Sequence, residues 1–345
     1  MLKPTVLLVP LLLATLETSA SQDETTAPAT ATVAAPTKPL TVERGAGRVP
    51  FVIPARERLV FDVVLDIGVL GETRVGTFTM SAGTESYRKG LPQPGVVEAS
   101  EKLAGWLLSE GKGRYLGYTL DHSTESRFLP QEWPRLIHRD TQQGSENRRR
   151  ELMYGTRDGA PMAWYRSDTH CDGCDRREHV VEGSLFSTEH HCTKCKRAEH
   201  RVWNKPKLEP SVDGAIDTQA SFFLARALVA SADEVLSFPL LEKDRHWLVT
   251  FHKGERKTLD VPAGTFHCRE MKMTAEPPEG SQDRPKFKGL LGMHGSLSLW
   301  LEERTGVLVR ITGLLPLGPI DLDVSIELSE FAGTPEGFAP VSPRK

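Results

Sequence analysis

The clearest pattern in the chain lies near its C-terminal end. Ile320, Leu322, Val324, Ile326 and Leu328 alternate with Asp321, Asp323, Ser325, Glu327 and Ser329. A period of two sends successive side chains to opposite faces, so this segment reads as a strand with one buried face and one wet face. Just upstream, Leu297, Leu299 and Leu301 alternate with Ser296, Ser298 and Trp300, and Val307, Val309 and Ile311 follow a Glu303-Arg304-Thr305-Gly306 turn. The body of the chain opens in the same way. Leu59, Phe61, Val63 and Leu65 alternate with Val60, Asp62, Val64 and Asp66, and Gly68 and Gly71 mark a turn into Val75, Thr77 and Thr79. Trp247 to Phe251 and Arg256 to Val261 read as a hairpin around Lys253-Gly254, and Pro262-Ala263-Gly264 turns the chain again.

A period near 3.6 stands out once. Ala220, Phe223, Leu224, Ala227 and Leu228 form an i, i+3/i+4 stripe behind Asp217, a residue able to accept from free N–H groups at a helix start. The stripe is a packing face. Val96 to Leu108 fits either a helix or a strand, and the Pro-containing stretch 275–288 reads as a loop. The fold class expected is therefore mostly β: a curved antiparallel sheet or partly open β-barrel with one or two short helices and a small Cys-rich loop insertion.

Outside this body the composition changes. Lys3, an apolar run from Val6 to Leu16 broken by Pro10, and the small residues Thr18-Ser19-Ala20 have the order of a secretory signal peptide over 1–20. The run is short for a membrane-spanning helix, and no later stretch is apolar enough, so the mature chain is expected to carry no transmembrane segment. Residues 21–48 are rich in Thr, Ala and Pro and read as a disordered tether; 49–331 form the β domain, with a Cys-rich insertion over 168–203; 332–345 read as a disordered tail. Net charge is only −3. No basic stripe emerges, which excludes nucleic acid as an expected partner.

The chemistry with the sharpest spacing is in the insertion. Cys171-Asp-Gly-Cys174 and Cys192-Thr-Lys-Cys195 are two Cys-x-x-Cys pairs with 17 residues between them. Each pair aims two thiolates at one point, and two pairs supply the four soft ligands of a tetrahedral zinc site. Three readings compete. The four sulfurs bind one structural zinc, or they form two disulfides with no metal, as an oxidising compartment favours. The third, a thioredoxin-like redox pair, lacks its βαβ surroundings. His170, His179, His190, His191 and His200 crowd the segment; any one could replace a Cys as ligand, though the favoured reading is solvated residues or neighbours of the ligands. Cys268 stands alone in a strand-like run and is expected to act as a small apolar side chain.

Several short stretches also resemble a known family. The opening hairpin from Leu59 through Gly76, the Asp217-Thr218-Gln219-Ala220 lead into a helix reaching Arg226, the Val261-Pro262-Ala263-Gly264-Thr265-Phe266 turn, and Leu297 to Leu301 followed by Val307 to Ile311 are similar to segments of the bacterial domain-of-unknown-function family 3108. The resemblance runs over roughly residues 55–331, and none of these stretches is a catalytic signature. It implies an exported bacterial protein, mostly antiparallel β, and transfers no site residues. The Cys-rich segment departs from the family pattern.

No Gly-x-Ser-x-Gly elbow, His-Glu-x-x-His or phosphate loop occurs. Asp62 and Asp66 share a strand face that alternation already makes a solvated one. The reading is an exported, non-enzymatic envelope protein of the periplasm or the medium, a binding or scaffolding module with a zinc staple. Its partner would be an envelope glycan, lipid or protein. The alternative is a hydrolase acting on an envelope polymer. Trp106, Trp133, Trp164, Trp203, Trp247 and Trp300 are candidates to line a trough, though large aromatics more commonly fill cores. The mature chain should begin near Ser21 outside the cytoplasm. N-terminal sequencing of secreted protein checks this, and intact Met1 on soluble cytosolic protein would overturn it.

Overall fold

The computed structural model describes residues 54, 56–68, 71–86, 103–115, 117–128, 137–144, 148–170, 179–184, 187–192, 201–212, 214–277, 287, 290–317 and 320–343. The expected signal peptide and the whole tether therefore lie outside the described residues, as do Cys171, Cys174 and Cys195.

The strands in chain order are β1 (Arg56–Asp66), β2 (Glu72–Ser86), β3 (Leu103–Tyr115), β4 (Tyr118–Phe128), β5 (Ile137–Gly144), β6 (Arg148–Arg157) and β7 (Ala160–His170). A separate hairpin follows, β8 (His179–Ser184) with β9 (Ser187–Cys192), then β10 (Arg201–Trp203) and β11 (Lys207–Pro210). After the helix α1 (Ser221–Ala230) come β12 (Val235–Glu242), β13 (Arg245–Val261), β14 (Gly264–Glu276), β15 (His294–Glu302), β16 (Leu308–Leu317) and β17 (Ile320–Ala332). Fifteen of these strands form one sheet in the order β10-β7-β6-β5-β4-β3-β2-β1-β17-β16-β15-β14-β13-β12, with β11 also on β7. The pairs are antiparallel, and the sheet is mostly a meander that does not close into a barrel. Its two halves meet where β1 pairs with β17, from Arg58 opposite Ala332 to Asp66 opposite Asp323.

The expected alternation places the core. Leu59, Phe61 and Leu65 of β1 are buried, and so are Val324, Ile326 and Leu328 of β17, while Asp321 and Asp323 are exposed. These side chains join Phe78, Met80, Leu107, Val249, Phe251, Phe266, Met271, Leu299 and Ile311 in one core that also takes in α1. The helix buries Phe222, Phe223, Ala225, Ala227 and Leu228. Asp217 acts one turn earlier than a helix cap would, accepting from the Ala220 N–H at 2.9 Å in the turn before α1. Arg226 fastens the helix to the sheet: its Nη2 donates to both Glu57 oxygens at 2.8 and 3.0 Å, and its Nε to the Gly306 carbonyl at 3.0 Å.

The far ends of the sheet approach each other. Leu241 of β12 packs with Leu152 and Tyr154 of β6 and Ala163 of β7 in a second, smaller cluster. The chain from β11 to α1 bridges the gap. The Ser211 N–H donates to the Pro161 carbonyl, and Ile216 forms a short parallel bridge with Leu240. Strand edges left bare invite association, and this connection covers part of both. No helix among the described residues is long and apolar enough to cross a membrane.

Three expectations change, and one open alternative is settled. Lys253-Gly254 is not a hairpin turn. β13 runs through it as one 17-residue strand with its irregularity between Lys253 and Arg256. A glycine inside a strand marks a bulge or a close approach, and a Cβ on Gly254 would stand 2.2 Å from Glu270 Oε2. The ambiguous stretch before Leu108 is a strand from Leu103 onward. The insertion is not only loop, because β8 and β9 pair from His179 opposite Cys192 to Ser184 opposite Ser187. Finally, residues 332–343 are not a loose tail. Phe338 stacks on Phe266 with centroids 5.0 Å apart and meets Phe331 edge-on at 4.6 Å. Ser342 pairs with Thr265. One aromatic anchor in a Pro- and Gly-rich stretch outweighs a composition that otherwise suggests disorder.

Val324→Asp should cost on the order of 3 kcal/mol or more, because it buries an unpaired charge. Asp323→Val should stay within about 0.5 kcal/mol or stabilise slightly, since Asp323 is exposed and lies opposite Asp66. Urea denaturation of the two variants checks this, and equal losses would mean that both faces of β17 are covered.

Candidate functional site

The register defines rows of side chains that cross the sheet on the face carrying α1. In an antiparallel sheet directly opposed residues point the same way. One row runs Leu59, Met80, Ser109, Thr124, Asp140, Arg150, Ser167. The next runs Glu57, Ala82, Leu107, Ser126, His138, Leu152, Tyr165. A third runs Phe61, Phe78, Gly111, His122, Gln142, Arg148. All three change near β3 and β4, although the second begins at Glu57, which pairs with Arg226, and returns to the buried Leu152. Apolar side chains under α1 give way to hydroxyls, imidazoles, a carboxylate and guanidinium groups.

This polar stretch is a bonded network. His122 Nε2 lies 3.3 Å from Asp140 Oδ2 and 3.3 Å from Thr124 Oγ1. Arg148 Nε donates to Asp140 Oδ1 at 3.4 Å. His138 Nδ1 lies 2.9 Å from Ser126 Oγ and 3.7 Å from Asp217 Oδ1. The Ser109 hydroxyl donates to Gln219 Oε1 at 2.6 Å, which ties the turn before α1 to β3. The side chains of His122, Asp140 and His138 keep 16%, 17% and 18% of their surface in solvent, so the network is accessible at its margin. The Arg150 side chain makes no hydrogen bond or ion pair among the described residues.

The electrostatics hold three groups in fixed states. Burial works to raise the pKa of Asp140. The His122 hydrogen bond and the charges of His122, Arg148 and Arg150 outweigh it and keep this carboxyl well below the usual range. Burial pushes the Tyr165 phenol up. Arg150 and the Ser167 bond pull it back, and the carboxylates of Asp244 and Asp140 push with the burial. The Tyr154 hydroxyl nearby is buried without a hydrogen-bond partner, and burial followed by the Asp217 charge drives its pKa up.

Ser126, His138 and Asp217 have the residue types of a hydrolytic triad, but the geometry is wrong. A triad places serine and carboxylate on opposite ring nitrogens. Here both lie on Nδ1, and Asp217 Oδ1 is already engaged by the Ala220 N–H. Ser126 is fully buried as well. The arrangement can bind and orient. It has no activated nucleophile.

The sequence-predicted cysteines fall differently. Cys192 ends β9 opposite His179, while Cys171, Cys174 and Cys195 lie outside the described residues. The insertion leaves β7 after His170 and returns at Arg201, its direct partner, so both of its ends start from one point on the sheet edge. Cys268 is 1% exposed, and its thiol is pushed up to about 12, first by burial, then by the Glu302 charge, with Arg310 opposing. Trp247 and Trp300 are core residues, and Trp106 lies over Gly83, where a Cβ would meet its ring at 2.7 Å. Asp62 pairs with Arg74, and Asp66 accepts from the Gly68 N–H. Sequence reading missed the polar rows, because alternation reports two faces and not which one bears the helix.

A single depressed carboxyl gives a pH signature. A lowered folded pKa contributes stability above the unfolded value, near 4, and that contribution is lost as pH falls through the folded value. Asp140→Asn should therefore flatten the loss of stability below about pH 4 relative to the unsubstituted protein. Urea midpoints from pH 7 to pH 3 check this, and parallel curves would show that Asp140 adds nothing to the acid limb.

Compared with models of known families, with curated proteins and with solved structures, the chain finds no match in any of the three.

Proposed function

We propose that the chain is an exported envelope protein that binds its ligand without converting it, and that Cys171, Cys174, Cys192 and Cys195 hold one structural zinc ion in the insertion. The observation that carries the binding reading is the change from apolar to polar side chains along three rows of one sheet face. A face meant only for packing would stay apolar, since buried polar groups cost free energy unless fully bonded. His122, Asp140, His138 and Arg150 retain access to solvent. The alternative, a hydrolase, finds no nucleophile with a base on the correct ring nitrogen among the described residues. Export rests on the order of residues 1–20, and the family 3108 resemblance belongs to the same proposal.

The zinc reading is supported by the backbone. The open end of the β8–β9 hairpin begins at His179, shortly after one Cys pair, and closes at Cys192, the start of the other. Four thiolates suit zinc and leave no open position for water, so the metal would supply folding energy and no chemistry. Disulfide pairing of the same sulfurs is the competing state in an oxidising compartment.

Native mass spectrometry of protein recovered from the envelope fraction should show a non-covalent small-molecule adduct that Arg150→Ala loses. Protein that carries none, or that releases a cleaved product, would overturn the binding reading. For the metal, elemental analysis should give one zinc per chain. Any one of the four Cys→Ser changes should release it while the β body keeps its melting temperature, and Cys268→Ser should have no effect. No zinc, with about one free thiol after unfolding in chelator, would replace the metal with two disulfides.

A further inference from the structure

We propose that the polar face binds a neutral, hydroxyl-rich chain, an oligosaccharide segment, laid across β4 to β7 between Asp140 and Arg150; this rests on the binding reading above. Three chemistries are open to a ligand of an envelope protein: an acyl chain, an anion and a neutral polyol. The apolar option is poorly served. The cavity beneath α1, lined by Leu59, Met80, Leu107, Phe223, Leu299 and Leu308, has about 20 Å³ of space, near that of a single water. Beyond Leu107 the rows turn to Ser126 and Thr124, both buried, and to His122, which reaches solvent, so no apolar surface continues for an acyl chain.

An anion meets charges of both signs. Arg148 and Arg150 would attract it, but Asp140 is held ionised between them, and Asp217 lies 3.7 Å from His138. Arg148 already donates to Asp140. Phosphate sites gather charged donors with no carboxylate among them, whereas the carboxylates of Asp140 and Asp217 offset the charges of Arg148 and Arg150 here.

A polyol needs what the face has. Each hydroxyl both donates and accepts. The Asp140 carboxylate has about four lone-pair positions, and its contacts to His122 at 3.3 Å and Arg148 at 3.4 Å are long ones. Arg150, opposite Asp140 in the register, has five donors and no bonded partner among the described residues. Tyr165 keeps its proton; its ring packs on the cluster of Leu152, Tyr154, Ala163 and Leu241 and stays half-buried, two strands from Asp140. Carboxylate, guanidinium and aromatic ring on adjacent strands match the alternating acceptors, donors and flat apolar patches of a sugar. Strand spacing makes the platform from β4 to β7 about 14 Å wide, room for a short oligosaccharide.

Isothermal titration of the mature, metal-containing chain tests this with four probes: cellotetraose, the β-1,4-linked N-acetylglucosamine tetramer, tetragalacturonate and inorganic phosphate. At least one neutral tetramer should bind. Asp140→Asn and Arg150→Gln should each weaken it by about tenfold or more, as loss of a hydrogen bond to a charged group does. Arg127→Ala, on the opposite face, should leave it unchanged. Arg150→Gln guards against a fold defect, since that side chain supports no bonded neighbour. Binding of tetragalacturonate or phosphate alone would overturn the ligand class and leave the binding reading standing. Silence from all four probes would overturn the oligosaccharide while an adduct lost in Arg150→Ala still supports binding. Shortened oligosaccharide in the cell would overturn both.

Discussion

The pairing of the first strand with the last is the constraint on which the rest depends. β1 and β17 are more than 250 residues apart in the chain, yet they share a ladder from Arg58–Ala332 to Asp66–Asp323. Nearly every other pair joins strands close in sequence. β1 to β7 follow one another across the sheet, and β12 to β17 do the same in the other half. Without the β1–β17 ladder there would be two separate meanders, each with a raw edge through its apolar centre. Leu59, Phe61 and Leu65 on one side and Val324, Ile326 and Leu328 on the other fix the register, because a slip by one residue would put Asp62 and Asp323 into the core. Closing so long a loop costs entropy that only the finished contacts repay, so this step should come late in folding.

The polar face follows from the size of the helix. α1 has 10 residues, about 15 Å of length. The strands of the main path would spread over roughly 60 Å if laid flat. One helix cannot cover such a sheet. Under it the rows are Leu, Met, Phe and Ala, with Glu57 bound to Arg226 of the helix; past its reach they turn to Thr, Ser, His, Asp and Arg, with Leu152 the apolar exception. Asp217 and Gln219 stand at the border. They belong to the turn that starts the helix, and they bond to the first polar residues of the sheet. The opposite face of β4 to β7 is polar in a different way. Arg127, Glu125, Arg139, Glu151 and Arg166 form a cross-strand ladder of alternating charge. Such a ladder satisfies itself, which leaves Arg150 on the helix-bearing face as the more available guanidinium.

Much of this fold was legible in the sequence because burial of one face leaves a period of two. The β1–β2 hairpin, β15 to β17, the turn at Pro262 and the stripe of α1 all follow from it. Cys268 follows too, as a small apolar side chain inside a strand. Other features were illegible for physical reasons. Gly254 has the look of a turn, but flexibility there serves the approach of Glu270 and the strand continues. Phe338 is a single aromatic in a polar stretch, and its worth depends on Phe266 and Phe331 being in place. The site was the least visible. His122, Asp140 and Arg150 come from three strands, and only the register reveals that they share a face.

The insertion and the polar face meet at one strand. β7 carries Ser167 and Tyr165, the last residues of two polar rows, and its far end pairs with β10 as the chain returns from the Cys-rich segment. β10 is only three residues long, too short to stay ordered by its own ladder bonds. The Asn204 N–H donates to the Ser167 carbonyl at 2.8 Å just beyond it. Under the zinc proposal, a metal that fixes both ends of the insertion would hold this short strand against β7 and so hold Ser167 and Tyr165 in line with Arg150. Losing the metal would loosen the edge first. The main core, anchored by β1 and β17 at the opposite end of the polar rows, shares no residue with that edge. Local opening of this kind is expected where few apolar contacts support a segment. A structural metal placed there would act on the site through the geometry of its edge strand, with no part in the chemistry of binding.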